Sequence, residues 1–190
     1  MLFRFCGELP PTASLFEPIA NCTLFNKPDG GLWCAPVQSD GCSTWESFCR
    51  KARLDLPSGK FDFWSNLPGL YRIDGLQDYL NLVDTFPAID TWDRLCVDFE
   101  AMVAARRYRG VYLTEQGANN CHWSKGIPGR LSAYASLREW EIACVLWLYW
   151  PRHSTYVRAT RSPVRRGPPI LLLSLAGHQG CCQGSSEGGD

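Results

Sequence analysis

Short apolar or alternating runs along the chain predict five β-strands. Residues 2–6 read Leu, Phe, Arg, Phe, Cys and stop at Gly7, so Phe3 and Phe5 share one face and Arg4 takes the other. On composition alone, Arg4 is also compatible with an ordinary solvated surface residue. Further strands are predicted at about 32–35, 70–73, 108–113 and 142–148.

The last of these strands competes with a helix. Ser136 and Glu139 have the spacing of a capping box, which favours a helix. The continuous apolar run 142–150, rich in aromatic and branched residues and ended by Pro151, favours a buried strand. We take the strand as the prediction.

Apolar residues recurring every three or four positions predict three helices. Ser43 and Glu46 form a capping box that starts the first helix, about 43–53. A second is predicted at about 75–86 after Asp74, and a third at about 92–107 after Asp90 or Thr91. Residues 115–120 have turn chemistry, and the pieces between 54 and 69 are predicted as loop.

The order of these elements indicates an α+β fold, because strands and helices mix without a regular βαβ repeat. Residues 1–150 are predicted to form one domain. From 151 the composition becomes basic and then rich in Gly, Ser and Gln, which predicts a poorly ordered tail over 151–190, in which the apolar run 170–173 could add one edge strand.

Composition narrows the class of protein. Hydrophobic residues make up 45% and charged residues 20%, which is typical of a globular chain. Basic and acidic residues balance at 19 each, so no long-range field attracts nucleic acid or an anionic membrane. Neither a signal peptide nor a run of ~20 apolar residues is present, and we expect a cytoplasmic protein without a membrane span.

The candidate chemistry is sparse. Ten scattered cysteines without a CxxC pair predict free, buried thiols rather than a metal site or a disulfide framework. The GxGxxG, GxxxxGK[ST] and HExxH motifs are all absent. For His122, beside Cys121, an ordinary loop imidazole is favoured over a ligand or a catalytic dyad.

The segment 28–37 is the one stretch that indicates a pocket wall. Asp29, Gly30 and Gly31 supply a turn that delivers Trp33 onto a short strand ended by Pro36. Such a Trp either contacts a flat ligand or seals a core, and pattern alone favours the core.

Several short motifs together resemble small phage-encoded proteins related to ADP-ribosyltransferases. The resemblance spans about residues 2–150 and rests on the aromatic-Arg-aromatic start, Lys27 to Cys34, Trp45 to Cys49, Tyr108 to Glu115, and Trp140-Glu141 leading into Val145 to Leu148. It implies small split β-sheets with flanking helices that hold NAD in a cleft. The chain departs from the expected pattern at Ala143, where we expect an acid directly before the Cys-Val-Leu run.

The resemblance also implies site residues. Arg4 would grip the cofactor, Trp33 would stack on or wall the nicotinamide, and Gly31 is a further cofactor-binding candidate. Glu141, with Glu139 as the other available acid, would steady the sugar cation that forms as nicotinamide leaves. Glu115 is a candidate on the substrate side, with an ordinary turn residue as its alternative.

These expectations leave three functions open. The first is NAD-dependent mono-ADP-ribosylation of a host protein, with no metal. The second is a non-catalytic phage or bacterial interaction protein that keeps the fold and binds a protein partner. The third is a small-molecule binding module without transfer chemistry.

Overall fold

The architecture is given by a computed structural model. It describes residues 1–8, 10–22, 26–56, 58–88, 94–121, 134–135, 137, 140, 142–151 and 155–159.

Seven strands of the described chain form one mixed sheet. They are β1 Leu2–Gly7, β2 Leu32–Pro36, β3 Gly59–Trp64, β4 Leu70–Ile73, β6 Gly110–Leu113, β8 Cys144–Trp147 and β9 Thr155–Ala159. Their order is β4-β6-β8-β2-β1-β3-β9, and every neighbouring pair is antiparallel except β4 and β6. The short strands β5 Arg94–Leu95 and β7 Tyr134–Ala135 pair separately.

Within the described residues, four α-helices accompany the sheet, and with them the α+β prediction is confirmed. They are α1 Thr44–Ala52, α2 Leu76–Thr85, α3 Phe99–Ala105 and α4 Glu115–Cys121.

Strand β2 joins two halves of the large sheet. Its first three residues, Leu32 to Cys34, pair with β8, whereas Ala35 and Pro36 pair with β1. We call β1, β3 and β9 the β1 half, and β4, β6 and β8 the β8 half. The two halves therefore share one short strand.

Each face of the sheet carries its own apolar core. On one face, Val111, Leu146 and Ile73 pack with residues of α2 and α3 such as Tyr79 and Met102. The opposite face buries a different set of residues, Phe3, Leu32, Cys34, Phe63, Tyr112, Val145 and Trp147. Because side chains alternate along a strand, Arg4 and Trp33 lie on the first, helix-covered face.

The capping box predicted at the start of α1 is confirmed. The Ser43 hydroxyl accepts from the Glu46 amide at 3.2 Å, and the Glu46 carboxylate accepts from the Ser43 amide at 2.8 Å. In α2, Asp78 plays the reciprocal part: its carboxylate accepts from the amides of Asp74 and Gly75. The cap of α2 therefore comes from inside the helix, not from Asp74 as predicted.

The helix predicted over 92–107 is too long. Within its described part, Arg94–Leu95 form β5, and α3 starts only at Phe99. Helix α3 starts at Phe99 because Asp98 is its N-cap: the Asp98 carboxylate accepts from the Ala101 amide at 2.8 Å. Val97 bridges to Pro87, so the residues before the cap are extended. The apolar residues keep their spacing of three and four on both sides of Asp98, so this spacing does not show where the helix begins.

Other elements differ from the predictions. Strand β8 begins at Cys144 and β6 at Gly110, each two residues later than predicted. Strand β3 and helix α4 fall where loop and turn were predicted, and β9 forms within the predicted tail, paired with β3. Residues 152–154 and 160–190 of the tail lie outside the described residues. No helix among the described residues is long and apolar enough to cross a membrane.

Candidate functional site

A cleft opens where β1 and β2 part. The two strands pair at Phe3 with Pro36 and at Arg4 with Ala35. Continuing that register would place Cys6 opposite Trp33, but the described pairing of β1 with β2 stops at Arg4 and Ala35, and Trp33 pairs only through the other edge of β2, with Leu146 of β8. The resulting cleft, which we call the tryptophan cleft, has a volume of about 340 Å³. That size lies within the ~300–1,000 Å³ range of small-molecule sites.

Tryptophans form the walls of this cleft. Trp33 from β2 and Trp140 meet edge to face, with ring centroids 4.8 Å apart. Trp140 is fixed from behind: its indole N–H donates to the Asn26 carbonyl at 2.8 Å, and its ring stacks on Phe99. Trp45 of α1 completes the aromatic lining. A buried, anchored ring beside a half-buried one can hold a flat ligand.

Lys27 supplies a cation at the cleft. Its ammonium lies 5.2 Å from the centroid of the Trp33 ring, and its side chain is exposed. Among the described residues, no carboxylate lies within ion-pair distance of this ammonium. Lys27 is therefore open to an anionic group on a ligand that contacts Trp33.

Arg4 also lines the cleft, but its guanidinium is largely occupied. Its Nε and Nη2 donate to the two oxygens of Asp62 at 2.6 and 2.7 Å. Its Nη1 donates to the Gly41 carbonyl at 2.9 Å and to Glu46. Arginine has five N–H groups, so one on Nη2 is left for a ligand. The structure places Arg4 beside Trp33 as expected, with most of its donors directed at the protein.

Glu46 is the centre of this ion cluster. Its Oε2 accepts from Arg4, and its Oε1 lies 2.6 Å from the Lys60 ammonium. Burial opposes ionisation, but hydrogen bonds from Lys60, the Ser43 amide and Arg4 outweigh it and lower the pKa of Glu46 to about 2. The hydrogen bond to Asp62 raises the pKa of Arg4 against the effect of burial. The cluster fixes α1 to β1 and β3.

Three thiols line the tryptophan cleft and are held neutral. Burial raises the pKa of Cys6 to about 11 and that of Cys144 to about 12, and it raises the pKa of Cys34 as well. A neutral thiol is a poor nucleophile. The part of the chain that the structure describes contains no group of three or more His, Cys, Asp or Glu side chains placed to hold a metal.

The structure does not bring Gly31 to the tryptophan cleft. Gly31 has φ +69°, and a Cβ there would lie 2.6 Å from Leu146 Cδ1 and 2.7 Å from Ile19 Cδ1. Its missing side chain makes room for the protein's own packing. Gly31 lines a different hollow, of about 320 Å³, together with Phe5, Phe16 and Glu17.

Glu115 lies in a neighbouring hollow. It is the first residue of α4 and lines a space of about 380 Å³ with Arg50, Lys51 and Asn119. Ile142 borders both this space and the tryptophan cleft. Glu115 is thus beside the cleft rather than in it.

Glu139 and Glu141 lie outside the described residues. Their chain neighbours Trp140 and Ile142 line the tryptophan cleft. The Trp140 amide donates to the Leu137 carbonyl and the Ile142 amide to the Trp140 carbonyl, so Trp140 and Ile142 make local turn contacts, and β8 begins only at Cys144. The carbonyl of Ala143 accepts from the Thr44 hydroxyl at 2.7 Å, which joins α1 to the start of β8.

Sequence reasoning missed most partners of Arg4. The alternation of Lys60, Phe61, Asp62 and Phe63 carries the signal of a strand with one charged face, since period-two patterns mark half-buried strands. Lys27 had no comparable signal, because its place over Trp33 depends on how the chain enters β2.

Comparison with known proteins finds no matching family model, no matching curated protein and no matching solved structure.

Proposed function

We propose that the protein binds NAD in the tryptophan cleft and transfers its ADP-ribose to a protein target, in the cytoplasm of a host. The observation that carries the proposal is the parting of β1 from β2, which opens a cleft walled by Trp33 and Trp140 with Lys27 at its side. Aromatic rings fit the flat nicotinamide, and an ammonium fits a phosphate.

Each residue has a distinct part in this proposal. Trp33 and Trp140 hold the nicotinamide ring, and Lys27 takes a phosphate oxygen. The one free N–H of Arg4 adds a single hydrogen bond, so the charge that holds the phosphate comes mainly from Lys27. Glu141, or Glu139, is the carboxylate that we assign to the positive charge developing on the anomeric carbon of the ribose, where a carboxylate lowers the energy of the transition state.

The reaction exchanges one bond for another. The bond between the ribose and the nicotinamide nitrogen breaks, and its electron pair leaves with nicotinamide. A nucleophilic atom of the target side chain forms the new bond to the same carbon and loses its proton.

The runner-up is a non-catalytic protein that uses the cleft to bind a partner or a small molecule. Arg4 favours this alternative, because Glu46, Asp62 and Gly41 already use four of its five N–H groups. A site built mainly to grip a pyrophosphate would leave more of the guanidinium open.

Two measurements separate these functions. Isotope-labelled NAD incubated with the protein and a bacterial lysate should label a lysate protein, and Glu141→Gln or Glu139→Gln should abolish the label while NAD still binds. Glu17→Gln, at an exposed position outside the cleft, should leave labelling unchanged. NAD binding without labelling or hydrolysis would favour the small-molecule binding module.

Binding itself has a matched pair of variants. Trp33→Ala should raise the dissociation constant for NAD about tenfold, as expected for the loss of one aromatic contact. Trp64→Ala should leave it unchanged, because Trp64 is 51% exposed and lies outside the cleft lining. Equal effects of the two substitutions, or no binding by the unmodified protein, would refute the NAD proposal.

A further inference from the structure

A fourth hollow lies beside the end of α3, the start of β6 and the end of β8, and nothing in the proposed reaction uses it. It has a volume of about 440 Å³ and is bordered by Arg106, Tyr108, Arg109, Trp147, Tyr149 and Trp150. We call it the arginine hollow. It lies at the end of β8 where Trp147 pairs with Gly110.

Trp147 carries an indole N–H without a partner. The side chain is 1% exposed, and no described group accepts from its Nε1. Trp147 lines the hollow while its Nε1 is closed off from solvent, so its indole N–H signal can report a ligand in the hollow without bonding to it.

The charge of the arginine hollow is positive. Arg106 and Arg109 border it, no acid does, and no described carboxylate lies within ion-pair distance of either arginine. Arg109 donates from Nη2 to the Pro68 carbonyl, which fixes its side chain at the rim. Arg106 is exposed in the left-handed conformation, φ 51°, at the end of α3. Two guanidinium groups on one rim suit a phosphate.

Aromatic rings also border the arginine hollow. Tyr108, Tyr149 and Trp150 are half-buried around the hollow and offer faces or edges to a flat ring. The hydroxyl of Tyr149 donates to the Val103 carbonyl, so this ring is held in place.

We propose that the arginine hollow binds a nucleoside monophosphate, separately from the NAD cleft. The phosphate contacts Arg106 and Arg109, and the base packs against the aromatic rings. The two arginines match the phosphate of such a ligand, and the aromatic rings match its base.

The test follows the indole N–H signals of the full chain by NMR while uridine monophosphate is added. The Trp147 signal, assigned with Trp147→Phe, should move and saturate. Uridine alone and inorganic phosphate alone should bind about tenfold more weakly, because each lacks one part of the contact. A Trp147 signal that stays unmoved at millimolar uridine monophosphate would overturn the proposal.

A matched pair of arginine variants tests the charge. Arg106→Gln should weaken uridine monophosphate binding about tenfold, the loss expected for a charge-assisted contact. Arg53→Gln is the control, since Arg53 also ends a helix with a left-handed conformation, φ 57°, but lies outside the hollow. Equal affinity in both variants would contradict the proposal. A loss of NAD binding in the Trp33 variants does not affect this test, because the test measures the binding of uridine monophosphate at the arginine hollow.

Discussion

The two halves of the sheet support opposite walls of the tryptophan cleft by different means. The β1 half is fixed to α1 through Arg4, Glu46, Lys60 and Asp62, whose charges are largely removed from water. The β8 half is fixed to its helices by apolar packing around Leu113 and Leu146. The stability of an ion cluster depends on the protonation and geometry of its groups, whereas the stability of an apolar core depends on how well its volume is filled. The two walls should therefore lose stability under different conditions.

The largest effect is expected from Glu46→Gln. It leaves Arg4 and Lys60 without their shared carboxylate, and breaking a buried ion pair typically costs about 3–5 kcal/mol. Urea unfolding should show the loss at neutral pH. Glu17→Gln, at an exposed site, should change the free energy of unfolding by less than about 0.5 kcal/mol. If Glu46→Gln also changes the free energy of unfolding by less than about 0.5 kcal/mol, the ion cluster does not fix the β1 half.

In the β8 half, Leu113→Ala should cost about 2–4 kcal/mol, because Leu113 is fully buried and the substitution leaves a cavity. Unlike the loss in Glu46→Gln, this loss should be nearly the same at pH 3 and pH 7. Urea unfolding of the variant at both pH values checks it. A marked pH dependence would show that the two halves are not supported independently.

The unmodified protein should lose stability in acid through Glu46. The pKa of this carboxyl is about 2 in the folded protein and 4.5 as the ordinary value, so its stabilisation is complete above about pH 4.5 and disappears as the pH falls through about 2. Unfolding curves between pH 2 and 7 measure this. The Glu46→Gln protein should lack this part of the acid dependence, and Leu113→Ala should keep it; an identical acid profile for Glu46→Gln and the unmodified protein would contradict the assignment.

The smallest effect concerns the contact between the two halves. Thr44→Val removes the hydrogen bond from α1 to the Ala143 carbonyl and should cost about 0.5–1.5 kcal/mol. Thr44→Ser keeps the hydroxyl and should recover most of that loss, as measured by thermal unfolding. If serine is no better than valine, the hydrogen bond does not join the halves.

Local signals made part of this fold predictable. The Ser43–Glu46 capping box and the alternation of residues 2–6 act over a few residues, and both led to the observed elements. The three-and-four spacing before Asp98 failed because extended pairing with Pro87 outweighs it. Tertiary contacts of this kind leave no local pattern.

The candidate site was less predictable than the fold. The placement of Arg4 and Trp33 at one cleft followed from a resemblance, and the structure brings them together. The partners of Arg4 did not follow, because Glu46 and Asp62 lie 42 and 58 residues away in the chain. Whether a guanidinium is free to bind a ligand depends on such distant acids.

The central claim is that NAD binds in the tryptophan cleft against Trp33 and Trp140, and the indole N–H signals of these two residues test it most directly. Their signals, assigned with Trp33→Phe and Trp140→Phe, should move and saturate as NAD is added, while the signal of exposed Trp64 stays in place. If saturating NAD leaves both unmoved, or moves only the Trp147 signal, NAD does not occupy the tryptophan cleft.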